Sequence, residues 1–418
     1  MSDDPVVANT VAPLPAARRP LDAELEHALT FRWSDLPTVT PDLPGCGGRL
    51  RADPDDFLVR ELPLYLPSGQ GSHAYARVEK VGWTTRDLQR ALIEAGVPVA
   101  QIGVAGLKDK VARTEQWLSV PRRFESEAWS ALEAIDGVTV LETSRHVNKL
   151  AVGHLRGNAF RIRVRGASAD ALERVEAVAA ELLEVGVPNY FGPQRFGRLG
   201  HNAIDGWKLV RGERVPGDQR LKRFFMSALQ SQLFNLWLAE RIRDGLYRDV
   251  VEGDWACKHA TGGTFAVVDA LAESLRSRAL EISATLPLYG KKVKPSVAEA
   301  GEREARVLTA LALRWTDLVR RHGDRRLTRV AGLVVEVNAL PTAAEPPDGA
   351  VVSDGAVVSD GAVVPDGAVA FDGVATPEGV DLWLEFELPK GSYATTLLRE
   401  VMKVDVDAPL DDPSSSGP

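Results

Sequence analysis

The sequence predicts an α+β chain of two or three packed units, on three observations. Apolar and polar residues alternate with strand period over Phe57–Leu62 and His73–Val78, and strictly over Asn158–Arg165. Helical stripes run through residues 168–185 and Phe225–Arg243. The 418 residues, at about 150 per domain, provide for more than one core.

Taken in order, residues 1–43 are rich in Pro, Ala and Asp, with little periodicity beyond Leu21–Leu29, and read as a disordered leader. Globular patterning begins near Gly47. The runs Phe57–Leu62 and His73–Val78, separated by a turn at Pro67–Gly69, predict a hairpin. Thr84 or Thr85 then N-caps a helix bearing Leu88, Ala91, Leu92 and Ala95, which Gly96 closes. In the strict alternation, Asn158, Phe160, Ile162 and Val164 share one face, while Ala159, Arg161, Arg163 and Arg165 make the other basic. The helix at 168–185 stops at Gly186 and Pro188, and Gly-Val-Pro-Asn reads as a domain crossing. Leu229, Gln232, Leu233, Leu236 and Trp237 line a second long helix, expected to have its own core. From Asp348 a six-residue repeat, DGAVVS, recurs; about four copies are too few for a solenoid core, so it reads as a low-complexity surface loop. Leu382–Leu388 predicts the last strand, and Ser392 or Thr395 caps a short helix before an acidic tail.

Hydrophobic residues at 44% and charged residues at 26% exclude wholesale disorder. A net charge of −8 excludes a uniformly basic coat, yet 38 of the cations are Arg, so local clusters can still meet phosphates. Cys46 and Cys257, without a CxxC, suggest neither a disulfide framework nor a cysteine zinc site and fit a reducing compartment. With no apolar run of about 18 residues and no apolar leader, the chain is expected to be cytoplasmic, away from membranes. A P-loop fails because Gly290-Lys291 is preceded by Thr285 and followed by Lys292; the seven His are scattered singly, so metal catalysis has no support.

Three segments carry chemistry. In VAGLKDKVARTEQWLSV, Asp109 stands between Lys108 and Lys110, and two neighbouring ammonium groups favour an ionised carboxylate suited to a nucleophile; the same residues also read as a plain turn. In GHLRGNAFRIRVR, the amide of Asn158 can meet a base edge, the ring of Phe160 can stack on a base, and the Arg face can meet phosphates; an ordinary half-buried strand fits too. In PNYFGPQRFGRLGHN, Tyr190, Phe191 and Phe196 interleave with Arg195 and Arg198, either as a nucleic-acid surface or as a wedge between domains. Basic clusters at Arg211–Arg223 and Arg320–Arg329 extend the possible phosphate footprint.

The ordered motifs AGLKDKVARTEQW, GHLRGNAFRI, GVPNYFGPQRFG, SALQSQLFN and LPKGSYATTLLRE resemble those of the TruD family of tRNA pseudouridine synthases, over roughly Gly47 to Met402. The resemblance implies isomerisation of uridine 13 of tRNA to pseudouridine, an isomerase reaction that needs no cofactor and no metal. It implies that Asp109 is the catalytic nucleophile, attacking C1′ or abstracting a 2′ proton, and that Phe57, Asn158 and Phe160 contact the base. Arg51 would pair with the catalytic carboxylate, and Tyr393, where bacterial members often have Phe, would bind substrate with a ring that can still stack on a base. The implied fold is a pseudouridine-synthase-like catalytic domain, a mixed, largely antiparallel sheet flanked by helices, interrupted by an α/β insertion domain.

The expected domains are a disordered leader (1–43), a first catalytic part (44–188), an insertion (189–375, with the repeat at 348–373), a second catalytic part (376–404) and a disordered acidic tail (405–418). A positive cleft between catalytic and insertion domains would hold tRNA, with no obligatory protein partner and a monomeric chain. The alternatives are a catalytically silent RNA-binding protein using the same cleft, and a structural protein assembled through the repeat.

Overall fold

The structure, a computed structural model, describes residues 19–319, 322–332, 335–340 and 379–406. Asp22 accepts from Leu25 N and caps α1 (Ala23–Leu29), whose Leu25 and Leu29 enter the main core. Phe31 stacks on Phe196 with ring centroids 4.5 Å apart, and Val39 N and Thr40 Oγ1 both donate to Glu400. The expectation of a disordered leader is therefore corrected over 19–43. Leucines at helical spacing behind a capping Asp outweigh the Pro and Ala around them. Residues 1–18 lie outside the described residues.

In chain order there follow β1 (Phe57–Pro63), β2 (His73–Val81), α2 (Thr85–Glu94), β3 (Gly103–Val104), β4 (Arg113–Pro121), α3 (Glu125–Glu133), β5 (Val138–His146), β6 (Leu155–Ala167) and α4 (Ala171–Val185). Thr84 is the N-cap of α2, in a capping box with Asp87. After β7 (Val187–Pro188) come α5 (Asn202–Val210), α6 (Gln219–Arg243), β8 (Trp255–Lys258), β9 (Thr264–Ala266), α7 (Ala270–Arg278), β10 (Ile282–Leu288), α8 (Ala298–Ala310), α9 (Trp315–Leu318), β11 (Asp324–Leu327) and β12 (Arg329–Val330). The chain closes through β13 (Val335–Leu340), β14 (Val380–Pro389) and α10 (Ala394–Met402).

The main sheet runs β13-β14-β6-β1-β4-β2-β5, with β3 pairing off β4. Among the described residues its one parallel pair is β1 with β4. The expected hairpin is corrected: β1 and β2 both form, but β4 lies between them, paired with each. A smaller antiparallel sheet runs β11-β10-β8-β9, and β12 pairs with β7.

Opposite residues of a ladder share a face. Val59, Phe160, Ile162, Leu384 and Phe386 thus point together into the core shared with α4 and α10. On the same face, Ala76, Val78, Leu118 and Val138 pack with Leu88 and Leu92 of α2 and Leu132 of α3 in a second cluster. Between the two clusters lies a buried polar seam of Glu61, Lys80, Thr114 and Gln116, with half-buried Asn158 opposite Glu61.

The reverse face bears the arginines of β6. Arg161 pairs with Glu385, Arg163 with Asp381 and Arg165 with Asp56, so of the two readings of this face the ordinary strand, its arginines paired within the chain, is the one the structure favours. Leu229, Leu233 and Trp237 of α6 belong to the same cluster as Ile162 and Leu397, while Val250, Ala256, Val267, Ile282 and Ala284 around the smaller sheet form a separate one. Val335–Leu340, expected inside the insertion, pair with β14, so the main sheet resumes before the repeat. The repeat itself, 348–373, lies outside the described residues, in the connection between β13 and β14. Val406, expected in the tail, is buried, and 407–418 lie outside the described residues. No described helix is long and apolar enough to cross a membrane.

Candidate active site

Asp109 sits on the loop between β3 and β4, at the mouth of the polar seam, with its side chain exposed. Lys108 turns the opposite way from it. The Lys108 Nζ donates to Glu61 Oε2 at 2.9 Å in an ion pair that is almost fully buried, and the other oxygen of Glu61 accepts from Trp117 N. The expectation of two ammonium groups flanking Asp109 is thereby corrected; Lys108 anchors the loop to β1, and Lys110 alone remains exposed beside the carboxylate. Two further ties fix the loop: Lys108 N donates to Thr85 Oγ1 at 2.8 Å, and Lys80 Nζ donates to the Asp109 carbonyl at 2.8 Å. From across the seam, Gln194 Nε2 donates to Asp109 Oδ2 at 3.1 Å.

Asn158 stands opposite Glu61 in the ladder, next to the Glu61–Lys108 pair that anchors the Asp109 loop. Its Oδ1 is buried and has no hydrogen-bond partner among the described residues. Two residues on, Phe160 is half-buried, stacked on Phe386 at 5.1 Å and edge-on to Phe57 at 6.4 Å. Phe57 is buried at the start of β1, with the Arg51 guanidinium 4.8 Å above its ring. The left-handed backbone of Arg51, φ 59°, precedes this contact. Arg51, Phe57 and Phe160 thus form one aromatic cluster, and the Glu61–Lys108 pair lies beside Asn158 in the ladder and beneath the Asp109 loop.

Tyr393, at the N-cap of α10, closes the other side. Arg195 donates to its hydroxyl at 3.2 Å, and Gln194, next to Arg195, reaches Asp109. Arg326 lies behind them, donating to the Asn189 and Gly391 carbonyls and lying 4.2 Å over the ring of Phe191. Burial lowers the Arg326 guanidinium to about 10, which leaves it a cation at neutral pH. Tyr190, Phe191 and Phe196 are buried, so in PNYFGPQRFGRLGHN the aromatics act as a wedge while the polar residues between them face the site. Of the basic clusters, Arg329 is fully buried and donates to Ser277 and Ser283, whereas Arg320 and Arg321 lie outside the described residues. Beside Pro193 opens a groove of about 740 Å³ whose lining includes Arg32, Trp33, Arg198, Arg399 and Lys403.

The family model described as tRNA pseudouridine synthase D (TruD) matches residues 35–215 and 217–401, which together hold the main sheet, the polar seam and α10. The chain belongs to the TruD family. A TruD relative from Thermus thermophilus, tRNA pseudouridine synthase D, is 47% identical over 378 residues, covering 90% of this chain and 95% of the relative. Another of that name, from an Anaeromyxobacter species, is 43% identical over 384 residues, covering 90% and 98%. A crystal structure described as a tRNA pseudouridine synthase D (TruD) from Methanosarcina mazei superposes with a TM-score of 0.66 at 25% identity, covering 92% of this chain and 98% of the other. The α+β architecture and the motif resemblance are thus those of TruD proteins.

Glu61, Lys80, Gln194 and Arg326 were not among the residues anticipated for the site. For Glu61 and Lys80 a signal existed. Phe57, Val59 and Glu61, like Ala76, Val78 and Lys80, continue an apolar strand face into a charge. Gln194 and Arg326 lie in segments already marked, PNYFGPQRFGRLGHN and Arg320–Arg329, but only the tertiary fold selects these two and brings them to the seam.

Proposed function

We propose that this chain isomerises uridine 13 of tRNA to pseudouridine, with Asp109 as the catalytic nucleophile. The observation that carries the reading is an exposed carboxylate on a loop tied at three points, at the open end of a buried polar seam, in a TruD family chain. Such a carboxylate is oriented before substrate arrives, and a nucleophile held in position needs little reorganisation at the reacting carbon.

The target nucleotide leaves its stack and enters between the Asp109 loop and Tyr393. Asn158 offers its unpartnered Oδ1 to a donor such as the N3–H of uracil, which directs the base edge. Asp109 acts at C1′, or removes a 2′ proton, as the N1 to C1′ bond breaks; the freed base turns and C5 bonds C1′. Asp109 leaves C1′, or returns the 2′ proton, as that bond forms; C5 then gives up its proton and N1 takes one up, so substrate and product are isomers and no co-reactant is consumed. Gln194 exchanges its bond to Asp109 for the substrate or holds the spare oxygen of the carboxylate. The cations beside Pro193 and the exposed Lys110 supply attraction for phosphates of the tRNA.

The test is tritium release from C5-labelled uridine in whole tRNA. Release is expected with the wild-type chain, and not from tRNA carrying cytidine at position 13. Asp109→Asn should reduce release by about 10³-fold or more, the scale lost with a covalent nucleophile. Its tRNA affinity should stay within about fivefold, since one exposed charge contributes about 1 kcal/mol or less. Full turnover in Asp109→Asn would reject the nucleophile assignment.

A further inference from the structure

The most completely enclosed of the three ties on the Asp109 loop is an ammonium, and its charge state has a consequence for the carboxylate. Lys80 is 0% exposed, on the strand face it shares with Ala76 and Val78. Burying an ammonium costs several kcal/mol unless its N–H groups are met. Here Nζ donates to the Trp83 carbonyl at 2.5 Å and to the Asp109 carbonyl at 2.8 Å. The first carbonyl lies where the chain turns into α2, and the second belongs to the nucleophile itself. Thr85, the first residue of α2, accepts from Lys108 N, so the same helix entry holds the loop twice.

We propose that Lys80 is a positioning residue for Asp109: its charged head pins the Asp109 carbonyl to the entry of α2 and thereby sets the direction of the carboxylate. This rests on the nucleophile reading given above. The groups that bear on the ammonium are Asp109 and Lys108 from the loop and Asp87 from α2.

Burial lowers the Lys80 amine to about 8, against the pull of Asp109 and Asp87. A neutral amine makes weaker bonds to carbonyls than a charged one. The clamp therefore loosens, and turnover falls, as pH rises through about 8. Stability moves the other way. The unfolded chain keeps this proton up to about 10.4, so between the two values it binds more protons than the folded chain, and the contribution of Lys80 to stability rises with pH. Falling activity without unfolding distinguishes the clamp from global denaturation.

The experiment compares wild type with Lys80→Gln, which keeps an uncharged donor, and Lys80→Met, which keeps none. It reads hydrogen exchange of loop residues 105–112, tRNA affinity, and kcat against pH. Faster loop exchange in both variants is expected, and a kcat about 10²-fold lower in Lys80→Met, the cost of roughly 1 Å of misplacement. Affinity should stay within about fivefold, and the alkaline limb near pH 8 should vanish in Lys80→Gln. Wild-type loop exchange and an unchanged pH profile in Lys80→Gln would overturn the proposal; that variant decides the matter if Lys80→Met does not fold. Faster loop exchange in Lys80→Gln beside a wild-type chain that turns over no tRNA would support the clamp and count against the reaction.

Discussion

The two faces of the main sheet use the same ion-pair chemistry to opposite ends. On the reverse face, Arg161 and Glu385 meet at 3.2 Å with side chains 53% and 42% exposed. On the seam face, Lys108 and Glu61 meet at 2.9 Å with side chains 4% and 1% exposed. Water screens the first pair, and its geometry is one of many that the two long side chains sample. The second has lost its water, so each partner depends on the other, and the loop that carries Asp109 is held where the pair is. Burial, rather than the presence of charge, decides which of the two positions a reacting group.

The largest effect expected from this contrast is at Glu61. Glu61→Gln leaves Lys108 charged, buried and uncompensated, and should cost about 3–5 kcal/mol in urea unfolding; a cost under about 1 kcal/mol would remove the distinction between the faces. Replacing both partners, Glu61→Leu with Lys108→Met, should recover most of that stability, because two apolar groups need no counter-charge. Turnover of the double variant should nevertheless remain well below wild type, since the anchor of the loop is gone; recovery of both would mean that the pair only stabilises. The smallest effect is on the reverse face. Arg161→Ala should change stability by about 0.5 kcal/mol or less and leave tRNA binding at any salt concentration unaltered. A marked loss of salt-sensitive binding would restore the reverse face as a phosphate surface.

Much of the site is legible in the sequence because it is written in local motifs. The alternation of Asn158, Phe160, Ile162 and Val164 gives the strand and its core face, and the Thr84-Thr85 pair gives the start of α2, the structure choosing Thr84 as its cap. Asp109 stands out in AGLKDK. What local pattern does not contain is pairing. That β4 separates β1 from β2, that Lys108 leaves Asp109 for Glu61, and that Glu385 and Asp381 neutralise the β6 arginines are all contacts between residues far apart in sequence. The segment 19–43 escaped for a related reason: its few leucines are helical in spacing, but the Trp33, Phe31 and Thr40 contacts that hold it are with Arg399, Phe196 and Glu400.

The last strand of the chain is an interior one, since β14 fills the place between β13 and β6. A chain made from its N-terminus, at about 5–20 residues per second, thus carries β6 with one side of its ladder open until Pro389 has been synthesised. An open strand edge invites pairing with another chain, and a row of charges discourages it. Nascent chains ending before Val380 should accordingly aggregate more when Arg161 and Arg163 are replaced by valine, as measured by sedimentation of stalled translation complexes. Arg161, exposed in the finished sheet, would then count most while β6 is still an edge, before Glu385 of the final strand meets it.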